Sequence, residues 1–164
     1  MTAIEWRAYA PDRDAAALAA LFRASVMTLA ATRYDAAQCA AWASLADDVG
    51  SFGARLARGS TLVAVHEGVP VAFGQLWPAD HVEMLYVAPG WARRGLATAL
   101  LARLEALACE QGASVLGTHA SALARPVFER AGFSLISEQM VWRGGVPLQR
   151  FQMGKPLRTA DPSA

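Results

Sequence analysis

The chain reads as an α+β domain built on a mixed sheet. Three observations predict this: the apolar period switches between two residues and 3.6, turn residues stand at nearly every switch, and the elements run β, two or three α, three β, α, β, α, two β. Ile4, Trp6 and Ala8 alternate with Glu5, Arg7 and Tyr9 as a first strand, and Pro11-Asp12 stops it and offers a helix cap. Leu18, Leu21, Phe22, Ser25, Val26 and Leu29 then follow at helical spacing. Asp35 can open a second helix, with Tyr34, Gln38 and Trp42 at intervals of four along it or just before it, and Phe52–Arg58 is a short third piece. Thr61–His66 and Val69–Trp77 are β-rich runs joined by Glu67-Gly68, a hairpin turn, and His81–Val87 continues the sheet. Pro89-Gly90 breaks that strand. Leu96, Leu100, Leu104, Leu107 and Ala108 mark a long amphipathic helix ending near Gly112. Ser114–Thr118 is a short strand, and a compact helix covers about Ala122–Ala131, with Pro126 in its first turn and Gly132 as its stop. Phe133–Trp142 and Val146–Met153 pair across Arg143-Gly144-Gly145. Residues 1–157 are expected to form one domain and the polar stretch 158–164, which holds Pro162, a loose tail.

Composition narrows the function. A chain of 164 residues that is 54% hydrophobic has room for a real core. Fifteen basic against fourteen acidic residues give a formal charge of +1, so there is no overall field to recruit nucleic acid or an anionic membrane. Cys39 and Cys109 lack the paired spacing or histidine company of a metal site and are expected to be core thiols in a reducing compartment; no metal is expected. The start Met1-Thr2-Ala3-Ile4-Glu5 lacks the basic and apolar pattern of a signal peptide, and no uninterrupted apolar stretch approaches the roughly 20 residues of a membrane span, which leads to the expectation of a cytoplasmic protein.

Chemistry shows at Val87-Ala88-Pro89-Gly90-Trp91-Ala92-Arg93-Arg94-Gly95-Leu96-Ala97-Thr98, where a strand ends, a basic loop follows and a long helix begins. The first N–H groups of a helix are unsatisfied and partly positive, so a diphosphate can accept their hydrogen bonds. Gly95 and Ala97 are small enough to let it approach, and Arg93 and Arg94 add charge. An Arg-Arg-Gly turn before a helix is also an ordinary exposed junction, so on physics alone both readings stand.

The same residues resemble the GNAT acetyltransferase superfamily, whose acetyl-coenzyme A loop reads Gln/Arg-x-x-Gly-x-Gly/Ala. Ala92-Arg93-Arg94-Gly95-Leu96-Ala97 matches at the last two defined positions and departs at Ala92. Met84–Pro89 looks like the family's fourth strand, whose bulged backbone around Leu85, Tyr86 and Val87 would hold the pantetheine arm. Ser121–Phe133 looks like the second signature, Asn-x-x-Ala-x-x-Phe-Tyr-Glu-x-x-Gly-Phe. The resemblance covers Ile4 to Leu157 and implies a mostly antiparallel central sheet flanked by helices, with acetyl-coenzyme A as co-substrate and, at family level, a homodimer. Tyr34…Gln38…Trp42 and Ala124-Arg125-Pro126 direct it toward one bacterial branch. It places Ser121, Arg125 and Phe128 near the cofactor along with Leu96 and Thr98 of the loop. Ser121 is equally readable as an N-cap and Arg125 as an exposed helix residue.

Transfer to an amine requires a base, an oxyanion donor and usually an acid. Simple alternation puts His81, Glu83 and Leu85 on one face of their strand and Val82, Met84 and Tyr86 on the other. Glu83 matches the general-base position of some relatives, and His81 has a side chain suited to relaying protons. A salt-bridged Glu83 and an incidental His81 are the alternatives. The resemblance puts Phe128 where a thiolate-protonating tyrosine is usual, and a phenyl ring cannot donate a proton. Tyr34, His119 or Tyr86 would have to do so, or the thiolate leaves unaided. The oxyanion donor is expected to be a backbone N–H near Leu85–Val87. Tyr34, Gln38 and Trp42 are candidates for one wall of an acceptor pocket, or else core.

The leading expectation is thus an N-acetyltransferase acting on a primary amine of a small molecule or peptide. Phe128 and Ala92 keep a non-catalytic acetyl-coenzyme A sensor as the alternative, and a fold-only interaction partner is the third reading.

Overall fold

A computed structural model describes residues 3–158. One sheet carries strands β1 (Glu5–Ala8), β2 (Ser60–His66), β3 (Val69–Leu76), β4 (His81–Val87), β5 (Val115–Ala120), β6 (Ser134–Arg143) and β7 (Val146–Pro156), in the spatial order β1-β2-β3-β4-β5-β7-β6. Helices α1 (Pro11–Leu29), α2 (Ala36–Ala43) and α3 (Val49–Leu56) precede β2; α4 (Leu96–Glu110) and α5 (Arg125–Arg130) flank β5. Every neighbouring pair is antiparallel except β4 and β5. The fold is the α+β arrangement with a mostly antiparallel sheet that the resemblance implied. Beyond Arg158, the expected tail lies outside the described residues.

Local sequence explains most boundaries. The β2–β3 turn carries Glu67 and Gly68 at φ 50° and 80°, and the β6–β7 turn carries Gly144 and Gly145 at 55° and 79°. Two consecutive left-handed residues match the twist of a hairpin. Asp35 caps α2: its Oδ1 accepts the Gln38 N–H at 2.7 Å while Gln38 Oε1 accepts the Asp35 N–H at 2.9 Å, a reciprocal capping box. At α1 the expected Pro11-Asp12 cap is corrected. Ala10 occupies the cap position, Pro11 opens the helix, and the Ala10 N–H donates to Asp14 instead. Asp14, 1% exposed, also accepts two hydrogen bonds from the Arg7 guanidinium at 2.7 and 2.8 Å, which ties β1 to α1.

Two apolar layers hold the sheet. On one face Leu18, Phe22 and Val26 of α1 meet Phe52, Phe73 and Met84. Pro11–Thr32 is long and apolar enough to cross a bilayer, but these side chains of it are buried against the sheet. On the other face Leu101 and Leu104 of α4 meet Leu116, Phe128 and Met153. Burying each such side chain contributes about 1.5–3 kcal/mol. A Cβ at Gly74 of β3 would stand 2.8 Å from Leu104, so glycine lets α4 lie close on the strand. Cys39 is buried as expected; Cys109 is exposed, which corrects its reading as a core thiol.

Candidate active site

Strands β4 and β5 pair only at His81↔Gly117 and Val82↔Thr118. Beyond those two pairs β4 has no ladder partner on its β5 side among the described residues. The Ala88 N–H donates to Val71 O across the β3 ladder at 2.8 Å, and antiparallel bonding alternates residue by residue. The N–H groups of Leu85 and Val87 therefore point away from β3, toward the parting of the sheet.

The expected bulge around Leu85–Val87 lies elsewhere. β4 runs in regular register with β3 from Met84 to Val87, and the register shifts where Gln75 faces Met84 and Leu76 faces Val82, so Glu83 is the extra residue. This also corrects the alternation. Val82 packs in the α4 layer and Met84 in the α1 layer, while His81, Glu83, Met84 and Tyr86 open onto one cavity and Leu85 packs toward α4.

Two adjoining cavities occupy the parting. The larger, about 680 Å³, runs from the end of α1 past Leu85, Tyr86 and Val87 to the loop before α4 and across to α5. Ala92, Arg93, Gly95, Leu96, Ala97 and Thr98 line it. Arg93 and Gly95 are left-handed, at φ 61° and 82°, and no side chain caps the α4 N-terminus. The first helical N–H to find its partner is that of Ala99, bonded to Gly95 O at 3.0 Å, which leaves those of Leu96, Ala97 and Thr98 as the helix's free donors. A Cβ at Gly95 would meet no atom within 4 Å, so its glycine answers the backbone angle rather than crowding. Arg94 does not line the cavity; its guanidinium lies 4.8 Å from the centre of the Trp91 ring.

The smaller cavity, about 130 Å³, shares Trp42, Tyr86 and Ser121 with the first. At its base His81 Nε2 lies 3.4 Å from Glu83 Oε2, and an Arg55 guanidinium nitrogen lies 3.7 Å from Oε1. Burial pushes the Glu83 carboxyl up, but His81, Arg55 and Arg58 together outweigh it and hold the pKa below the ordinary value. The His119 ring stands 5.1 Å from that of His81, and burial, followed by Arg150, pushes its pKa down. Tyr86 accepts a hydrogen bond from Trp42 Nε1 at 3.3 Å. Burial pushes its hydroxyl up to about 12, so it keeps its proton at neutral pH.

Other expected residues take different places. Tyr34 lines the smaller cavity with its ring, but its hydroxyl is spent on the backbone, donating to Gln149 O at 2.8 Å and accepting the Ala122 N–H at 2.9 Å. Gln38 lines neither cavity; it caps α2 and donates from Nε2 to Pro147 O. Ser121 Oγ accepts the Ala124 N–H at 3.1 Å and so closes the turn ahead of α5, whose cap position is Ala124 and not Ser121, and it retains its own proton to donate. Arg125 lies off the cavity, paired with Glu129 at 2.7 Å and set over Phe151. Phe128 is a core residue, 2% exposed and edge-on to Phe133, so the expectation that it faces the cofactor is corrected. Arg55, Arg143 and Arg150 were not legible as site residues: they line the smaller cavity from α3, β6 and β7, and only folding assembles them.

An uncapped helix start thus lies on a broad cleft in a parted sheet, and a polar pocket adjoins that cleft. A family model described as an acetyltransferase (GNAT) domain matches residues 30–155. The uncharacterised N-acetyltransferase YafP of Escherichia coli (strain K12) is 34% identical over 154 residues, 93% of this chain and 96% of that one. It belongs to the branch to which Tyr34…Gln38…Trp42 and the Ala-Arg-Pro run point. A GCN5-related N-acetyltransferase structure from Rhodopseudomonas palustris is 41% identical, with a TM-score of 0.91 over 96% of this chain and 98% of that one. The fold is shared further by the PaiA N-acetyltransferase of Thermoplasma acidophilum in complex with coenzyme A, 16% identical, TM-score 0.76, covering 94% of this chain and 99% of that one. The chain belongs to the GNAT acetyltransferase family, as an acetyl-coenzyme A-dependent N-acetyltransferase.

Proposed function

We propose that the acceptor is a primary amine of a small molecule or peptide, admitted through the smaller cavity to meet the acetyl group at Trp42, Tyr86 and Ser121. The observation that carries this reading is that one set of three side chains walls both cavities. The larger cleft fits the co-substrate: the N–H groups of Leu96, Ala97 and Thr98 and the Arg93 side chain would hold the diphosphate, and the Leu85 and Val87 backbone the pantetheine arm. Acetyl-coenzyme A supplies the acetyl thioester when bound.

The chain's own residues then divide the proton work. Glu83, kept ionised, and His81 beside it form the base for the amine, the carboxylate taking the proton directly or steadying the imidazolium formed when the His81 imidazole takes it. The N–H of Leu85 or Val87 is the donor for a developing oxyanion. Tyr86 replaces the tyrosine missing at Phe128: its Oη accepts from Trp42 and therefore has its hydrogen free to give to a departing sulfur. We place this activity in the cytoplasm, where the free thiols of Cys39 and Cys109 stay reduced.

Calorimetric titration with acetyl-coenzyme A, followed by thiol release across a panel of amines, tests the reading. Binding together with amine-dependent release supports it. Binding without release from any amine would make the chain a binding module, and no binding would remove the cleft assignment.

A further inference from the structure

The smaller cavity is unbalanced in charge. Among its lining residues Glu83 is the one carboxylate, against the guanidinium groups of Arg55, Arg143 and Arg150. Arg55 is the only one of the three within ion-pair distance of Glu83, and its Nε is buried without a hydrogen-bond partner. Arg150 commits its Nε to Gln139 at 3.0 Å, leaving its two terminal nitrogens. The Arg143 side chain, at the end of β6, has no ion pair or hydrogen bond among the described residues. The groups sense one another: burial and then Arg58 push the Arg55 pKa down, Arg143 adds to that, and Arg150 helps to hold His119 neutral.

Such a pocket repels a bare ammonium ion. It also favours loss of the ammonium proton, which acetyl transfer requires, so the positive field serves the chemistry but cannot supply the attraction. The attraction must come from a negative group on the acceptor, and two planar guanidinium forks on adjacent strands suit a carboxylate. We propose that the acceptor is a small amine bearing a carboxylate, with Arg143 and Arg150 receiving the carboxylate while the amine reaches His81 and Glu83. This rests on the acetyl-transfer reading above.

Amines of one skeleton test it: 4-aminobutyrate, butylamine and 1,4-diaminobutane, with 3-aminopropionate and propylamine as a shorter pair, assayed by thiol release from acetyl-coenzyme A. The carboxylated amines should exceed their neutral counterparts in kcat/KM by about tenfold or more, the scale of one charge-assisted hydrogen bond, and the diamine should be poorest. Arg143→Gln should raise KM for the carboxylated amines about tenfold with kcat nearly unchanged, and Arg143→Glu should move the preference toward the diamine. A wild-type preference for neutral or cationic amines overturns the proposal, as does an Arg143→Gln loss that is equal for all amines. If acetyl-coenzyme A binds but no carboxylated amine turns over, this inference fails and the cofactor assignment stands. If acetyl-coenzyme A does not bind, the underlying reading itself fails.

Discussion

Replacing Tyr86 by Phe removes one oxygen from the junction of the two cavities and little else. The ring stays packed edge-on to Phe22 at 4.7 Å and beside Phe73 at 5.6 Å, so the apolar contacts persist. The lost hydrogen bond from Trp42 is long, at 3.3 Å, and such a neutral bond contributes about 0.5–1 kcal/mol, so the urea midpoint should move only slightly. The effect on rate should be larger. A positioned general acid contributes about 10²–10⁴-fold, and because a thiolate leaves tolerably without help, the lower end applies, about 10²-fold or close to 3 kcal/mol of barrier. Because burial raises the hydroxyl to about 12, it stays protonated through pH 6–10, and its contribution disappears only as pH rises through the folded value. The deficit of the Phe variant should therefore be flat over that range. Single-turnover acetyl transfer at saturating acetyl-coenzyme A measures it without interference from product release. A variant that transfers at the wild-type rate, or whose deficit tracks a lowered urea midpoint, would refute the acid assignment.

Glu83→Gln should lower turnover by about 10²–10⁴-fold with acetyl-coenzyme A affinity nearly intact, and recover partly at high pH, where the amine is already neutral; full turnover at pH 7 would make the carboxylate structural. Gly95→Val forces a β-branched residue to φ 82° and sets a side chain beside the helix start, so acetyl-coenzyme A affinity should fall about tenfold or more by calorimetry in a protein that still folds. Unchanged affinity would move the diphosphate elsewhere. Asp14→Asn leaves Arg7 without its partner and should cost about 3 kcal/mol in urea unfolding. Arg7, followed by the Ala10 N–H, holds the Asp14 carboxyl below its ordinary value against the cost of burial. Its contribution is therefore full above about pH 4 and lost as pH falls through the folded pKa; acid sensitivity equal in wild type and variant would contradict this.

The element order was legible because turn chemistry and period agree locally. Glu67-Gly68, Pro89-Gly90 and Gly144-Gly145 each stand where a strand ends, and Asp35 caps the helix it was read to open. The loop before α4 was legible for the same reason, as its glycine and its helix start are neighbours in sequence. The bulge at Glu83 was not. An inserted residue leaves no mark in a run of alternating side chains, yet it turns Glu83 and Met84 toward the same cavity. Gln38 was misplaced because helical spacing tells which residues share a face, not whether that face meets a cavity or a cap, and Phe128 because a motif position carried over by resemblance does not say that a phenyl ring there turns into the core. The three arginines of the smaller cavity come from separate elements, and no local pattern announces a meeting that the tertiary structure makes.

The sheet order has a consequence for biosynthesis. Among the described residues β7 is the last strand, yet it lies inside the sheet, hydrogen-bonded to β5 on one side and β6 on the other. A chain emerging from the ribosome therefore exposes the free edges of both β5 and β6 until residues 146–156 arrive to fill the gap. Only then do Leu148, Gln149 and Arg150 complete the smaller cavity and Tyr34 find the carbonyl of Gln149. The loop before α4 and α4 itself are made some 50 residues earlier, in a chain whose smaller cavity does not yet exist. A stop codon between Arg143 and Val146 would not trim an edge; it would leave β5 open on one side and β6 with no partner strand, unpaired backbone prone to capture a neighbouring nascent chain.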